Sequence, residues 1–144
     1  MNPILRNILG AVSALVITGA ANAVELSPLE RAVWQVETSG VDGPTIGDGG
    51  KARGPLQIHR GAWKDATDFD RTIGGTYEDV DRIEYAVRIF RAYCERYATE
   101  RRIGRGVTDI DRARIWNGGP NGFKKSATLK YAAKVRAILE GGEG

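Results

Sequence analysis

A chain of 144 residues with 21 lysines and arginines, 18 aspartates and glutamates and one histidine carries a formal net charge of +3. That length supports one hydrophobic core and one cleft rather than two, and so small a charge excess gives no argument for a nucleic-acid partner. A single cysteine excludes an internal disulfide, and one cysteine with one histidine cannot close a zinc-type site, so no metal and no other cofactor is expected.

The first acidic residue is Glu25. Ahead of it, Arg6 and the terminal amine form a short positive region, Ile8 to Ala20 an apolar stretch, and Ala21-Asn22-Ala23 the small residues a signal peptidase needs. Residues 1–23 therefore read as a cleaved secretory signal peptide and residues 24–144 as the working domain, periplasmic or secreted. The apolar stretch is short of the roughly 20 residues of a spanning helix, so no stable membrane insertion is expected once it is removed. Removal takes away only Arg6 among the side-chain charges, leaving 20 cations against 18 acids, a net +2.

Ser27-Pro28-Leu29-Glu30 combines a capping serine, proline at the first helical position and a glutamate three residues after the cap, which predicts a helix start. Leu29, Ala32, Val33 and Val36 recur at helical spacing and Ser39-Gly40 ends the run, putting Glu37 in the last turn. Val41 to Gly54, crowded with glycine, predicts a loop with weak strand character or a small irregular hairpin. Arg60 to Ala66 predicts one or two helical turns with Trp63 inward. The clearest helix is expected from about Arg82 to Arg102, since Ile83, Val87, Phe90, Cys94 and Tyr97 fall on one face. Cys94 is then a packed, unreactive thiol. Thr108 with Asp111 opens another helix that reaches Trp116 before the turn Asn117-Gly118-Gly119-Pro120-Asn121-Gly122. Ser126 opens the last, with Leu129, Tyr131, Ala132, Val135 and Ile138 on its core side and Gly141-Gly142 at its end. The fold class expected is mainly α, α+β at most, in a single domain.

Charge is uneven along this order. Val24 to Gly50 holds five acids against one base, and Arg82 to Arg105 seven arginines against three glutamates, implying one basic face. Such a face would attract an anionic polymer, or would simply be a solvated helix surface.

Taken alone, Glu37 is a carboxylate at a helix end, and most such groups are surface charges. Trp34, Val33 and Val36 precede it, and apolar neighbours would raise its pKa towards that of a general acid working near neutral pH. Asp48, in Ile46-Gly47-Asp48-Gly49-Gly50, is the candidate second carboxylate and Asp42 the reserve, although either would also serve as a turn cap. Gln57 and Asn117 each carry one acceptor and two donors, suited to acetamido and hydroxyl groups or to bonds within their own loops. His59, the only histidine, has no nucleophile signature around it and reads as a cleft-wall or surface residue.

Glu37-Thr38-Ser39-Gly40 resembles the E-S-G helix end of the lysozyme superfamily. Gly54-Pro55-Leu56-Gln57-Ile58 is similar to its G-P-F-Q-I or G-L-M-Q-I segment. Ala113 to Gly122 resembles the A-R-x-x-N-G-G-P-x-G of invertebrate-type lysozymes, and Tyr131-Ala132-Ala133-Lys134-Val135 their closing Y-x-x-K-V. Together the four blocks resemble a bacterial relative of invertebrate-type lysozymes and of lytic transglycosylases. The resemblance implies a lysozyme-like helical domain acting on peptidoglycan glycan strands. Glu37 would be the acid, Asp48 the second catalytic carboxylate, and Gln57, Asn117 and Tyr131 the substrate-binding residues. Invertebrate-type lysozymes are rich in disulfides, and this chain departs from them there.

The second carboxylate separates the possible mechanisms. A retaining lysozyme sets it roughly 5 Å from the acid and an inverting one roughly 6.5 to 9.5 Å. A transglycosylase needs none, because the sugar's own groups close a 1,6-anhydro ring. The readings implied are thus a muramidase-like hydrolase, a lytic transglycosylase, or a non-catalytic wall-binding module, with an inhibitor or an envelope machine as possible protein partner.

Overall fold

The structure is a computed structural model that describes residues 23–142. The expected signal peptide lies, but for Ala23, outside the described residues. No helix among the described residues is long and apolar enough to cross a membrane.

Six helices and a small sheet make up the domain. Helix α1 (Pro28–Thr38) begins as its sequence predicts: the Ser27 hydroxyl accepts from the Glu30 amide, and the Glu30 carboxylate accepts from the Ser27 amide. Its end is Ser39 in the left-handed region at φ 55°. The glycine-rich stretch then forms strands β1 (Ile46–Gly47) and β2 (Ala52–Arg53), and β3 (Ile58–His59) completes an antiparallel sheet in the order β1-β2-β3. The registers are Ile46 opposite Arg53 and Ala52 opposite His59. This is one strand more than the hairpin expected. The sheet is held from outside: the Tyr77 hydroxyl donates to Ile58 O of β3 at 2.7 Å, and Arg53 of β2 grips Asp81 with two bonds of 2.8 and 2.7 Å.

Helix α2 (Arg60–Phe69) follows directly, then a 3₁₀ turn at Tyr77–Asp81, a segment that carries no expectation from the sequence reading above. Trp63 is half-buried as expected, with its indole N–H on the Tyr85 hydroxyl at 3.0 Å.

The central helix is shorter than the expected span from about Arg82 to Arg102, and ends where its apolar spacing ends. Helix α3 (Ile83–Tyr97) stops, and α4 (Glu100–Ile103) is a separate turn. Ala98 leaves helical geometry at ψ 74°, and the Thr99 hydroxyl caps the new turn by accepting from the Arg102 amide. The local hydrogen bond offered by threonine wins over continuation. Ile83, Val87, Phe90 and Cys94 are buried on one face of α3 as expected.

Helix α5 (Asp109–Gly118) opens with the Thr108–Asp111 capping box, and α6 (Leu129–Leu139) closes the domain. The chain from Ser126 to Thr128 is a 3₁₀ turn leading into α6, so α6 starts later than expected. Leu129 is 54% exposed rather than in the core. Ala32, Val33, Leu56, Ile58, Val87, Ile115 and Val135 meet in one fully buried core to which helices and sheet both contribute.

The arginine-rich run does not present an open basic face. Arg82 pairs with Asp79, Arg91 with Glu30, Arg96 with Asp65 and Arg105 with Asp111, so four of its seven arginines are matched by acids on neighbouring segments.

Candidate functional site

Glu37, Asp48, Gln57, His59 and Asn117 all line one cleft of about 520 Å³ between the sheet and the helices, joined by Ala52, Ala62, Tyr93, Trp116 and Gly119. Glu37 stands on the helical wall. The cause lies in α1, whose last turn aims it inward while Thr38, one residue on, donates to Pro55 O at 2.9 Å. That bond ties the end of α1 to the segment before β3. The Trp34 indole donates to Val41 O at 2.9 Å and fixes the chain leaving the helix.

The Glu37 carboxyl is pushed up to about 7. Burial is the larger cause; the Tyr131 hydroxyl, which donates to Oε1 at 2.7 Å, and the Trp116 side chain pull the other way by favouring the charged form. Position adds to burial, since the carbonyl end of a helix disfavours a nearby anion. Half the Glu37 population therefore holds a proton near pH 7. The Trp34 indole N–H has its own partner at Val41 O, and the hydrogen-bond donors to Glu37 come from α5 and α6.

Asp48 occupies the opposite wall, at the tip of the β1-β2 connection. It is exposed, lies at φ 48°, and meets His59 Nε2 at 3.3 Å. Gly49 and Gly50 continue the left-handed turn at φ 60° and 91°. Asp42, the reserve carboxylate, is engaged elsewhere: its Oδ1 accepts from the amides of Gly43 and Ile83 at 2.9 and 3.0 Å, satisfying one of the free donors at the start of α3.

Gln57 lines the cleft, but both its amide hydrogens are committed, to Thr45 O at 3.1 Å and Gly54 O at 3.0 Å. Its Oε1 rests against Gly47, where a Cβ would come within 2.0 Å. The side chain is thus a pin across the base of the loop that carries Asp48. Glycine is also required at 54, at φ 78°, because a Cβ would come within 2.1 Å of Val80 O.

Asn117 is exposed in the cleft, and no hydrogen bond holds its side chain among the described residues. The Tyr131 hydroxyl faces Glu37 rather than open cleft. Sequence reasoning missed Tyr93 and Trp116, which meet edge to face at 5.6 Å and present aromatic surface to the cleft. Aromatic residues at helical spacing read as core. The position of Trp116 beside Asn117 was the one available signal.

No protein-family model and no curated protein matches the chain. Solved structures do. A chain of the complex of Aeromonas hydrophila PliI with Meretrix lusoria lysozyme superposes with a TM-score of 0.68 at 24% identity, covering 82% of this chain and 95% of that one. The lysozyme of Tapes japonica gives a TM-score of 0.67 at 26% identity with the same two coverages. An inhibitor-bound lysozyme from Meretrix lusoria gives 0.66 at 24%. The cleft between a helical wall and a small antiparallel sheet is thus set in a lysozyme-like fold, as the four motif blocks imply.

Proposed function

We propose that this protein is an exported glycosidase that cleaves the β-1,4 bond between N-acetylmuramic acid and N-acetylglucosamine in peptidoglycan. The observation that carries the reading is Glu37: a buried carboxyl on the cleft wall, with its pKa pushed up to about 7. A group poised there is available both as acid and as base near neutral pH. Glu37 gives its proton to the glycosidic oxygen as the bond from that oxygen to the sugar's C1 breaks. The Asp48 carboxylate on the far wall meets the positive charge or bond that develops at C1. Water then supplies hydroxide to C1 and returns a proton to Glu37, leaving a reducing end.

Asn117, exposed with free donors and acceptor, is the residue suited to the acetamido and hydroxyl groups of the sugar. Trp116, half-buried on the cleft wall, offers apolar surface to the sugar rings, with the buried Tyr93 packed edge to face against it. Gln57 contributes by holding the loop rather than by donating to substrate. Residues 1–23 act as the export signal in this reading, and a protein inhibitor is the partner class it suggests, because one of the similar lysozymes is in complex with a second protein and another has an inhibitor bound.

One observation favours a second reading. The Tyr131–Glu37 hydrogen bond resembles the tyrosine facing the acid in lytic transglycosylases, in which the muramyl C6 hydroxyl attacks C1 in place of water. Digestion of sacculi and mass analysis of the products tests both. Glu37→Gln is expected to lower product release about 1,000-fold while the protein stays folded, the scale of a lost general acid. Equal activity of the two proteins overturns the assignment. Reducing ends in the wild-type digest support hydrolysis, and ends lighter by one water support transglycosylation.

A further inference from the structure

From Arg112 to Leu139 the chain carries seven cationic side chains and no carboxylate. Two of the seven are used internally: Arg112 pairs with Asp109 at 2.9 Å, and Arg114 donates to Thr128 Oγ1 and Lys125 O. The other five, Lys124, Lys125, Lys130, Lys134 and Arg136, are all exposed. None of these five is ion-paired among the described residues. By contrast, four of the seven arginines from Arg82 to Arg105 are ion-paired within the described residues.

The placement of this strip joins it to the cleft. Lys125 Nζ donates to Gly118 O at 2.6 Å, between the cleft residues Asn117 and Gly119. Lys130 and Lys134 lie one helical turn apart on one side of α6, the helix that also carries Tyr131, on a face adjacent to the one that meets Glu37. Two like charges at that spacing weaken a helix, and no acid of α6 offsets them before Glu140. A cost with no internal return is explained by an external anion.

We infer that the α6 edge is a second subsite that binds the carboxylates of the peptide stems carried by the glycan strand, alongside the cleft that holds the sugars. This rests on the function proposed above and extends it: the cleft takes the sugar rings, and Lys130 and Lys134 select strands that bear acidic stems. The attraction acts over about 8 Å at physiological ionic strength and is screened by added salt.

Binding, measured in the catalytically silenced Glu37→Gln protein, separates this from the reaction itself. The probes are purified peptidoglycan free of phosphate polymers and the same material with its carboxyl groups converted to amides. The expected result is about three- to tenfold weaker binding to the amidated material, the scale of two exposed charge pairs. Adding Lys130→Gln and Lys134→Gln should abolish that preference without changing binding to the amidated form. Equal binding to both materials, no binding to either, or a preference that survives the double substitution overturns the inference. Muropeptide release by the wild-type protein is scored separately, so a protein that prefers acidic stems but cuts nothing would defeat the proposed reaction and leave the subsite standing.

Discussion

Glu37 and Asp48 line the same cleft, but the elements that carry them are built differently. Glu37 closes an eleven-residue helix whose start is double-capped and whose end is bonded to Pro55 O, and its carboxyl is buried against Tyr131 and Trp116. Asp48 sits on three successive left-handed residues in a glycine-rich turn, exposed to water and touching one partner, His59. A carboxyl that must hold a proton near pH 7 needs burial and a rigid support. A carboxylate whose charge must reach a passing sugar needs water around it until the sugar arrives, and a left-handed turn that lifts it off the sheet supplies that. In the hydrolysis proposed above, one acid holds its proton and the other meets charge at C1, a division of roles that these opposite surroundings support.

The contrast can be tested first through stability. Glu37 has its folded pKa raised from 4.5 to about 7, so the folded state binds a proton that the unfolded chain has already lost. That contribution is whole below about pH 4.5 and is lost as the pH rises through about 7. Glu37→Gln should therefore unfold in urea like the wild type at pH 4.5 and be more stable at pH 8, by up to about 3 kcal/mol. An identical pH dependence in the two proteins would show that Glu37 is not buried as described.

Asp48→Asn reads the other wall. If Asp48 meets the charge at C1, turnover on peptidoglycan should fall about 100-fold with little change in thermal stability, because the side chain is exposed. A loss below about threefold, together with anhydro products, moves the chemistry to the transglycosylase reading.

The smallest effect is expected at the contact between the walls' supports. Tyr131→Phe removes a hydrogen bond that favours the charged form of Glu37, so its pKa moves further up. The alkaline limb of the pH profile should shift to higher pH, while activity at pH 6 changes by less than about threefold. A shift to lower pH would mean that Tyr131 stabilises the protonated acid instead.

The helical wall was more legible in the sequence than the loop wall, for a physical reason. Ser27, Pro28 and Glu30 act on neighbours three residues away, and the heptad-like spacing of α3 acts within one element, so both can be read locally. The expected end at Arg102 runs past the apolar spacing, which stops at Tyr97 where α3 stops, and Thr99 caps a separate turn beyond it. The raised pKa of Glu37 is expected from the apolar Trp34, Val33 and Val36, but its hydrogen-bond partners Tyr131 and Trp116, which hold the rise in check, are distant in sequence. Gln57 was expected to face substrate. Its two committed donors depend on carbonyls at 45 and 54, which only the folded loop brings together.

The lone thiol has a consequence for how the molecule can be handled. Cys94 is 5% exposed within the α3 face of the core, and burial pushes its pKa up to about 12, so almost none of it is thiolate at neutral pH. No cross-link among the described residues has to form for the chain to fold or survive for it to stay folded. The domain can therefore mature without an oxidase or isomerase, and refolding yields should be the same with and without dithiothreitol. Lysozyme-like folds stapled by disulfides cannot be made so indifferently to redox conditions.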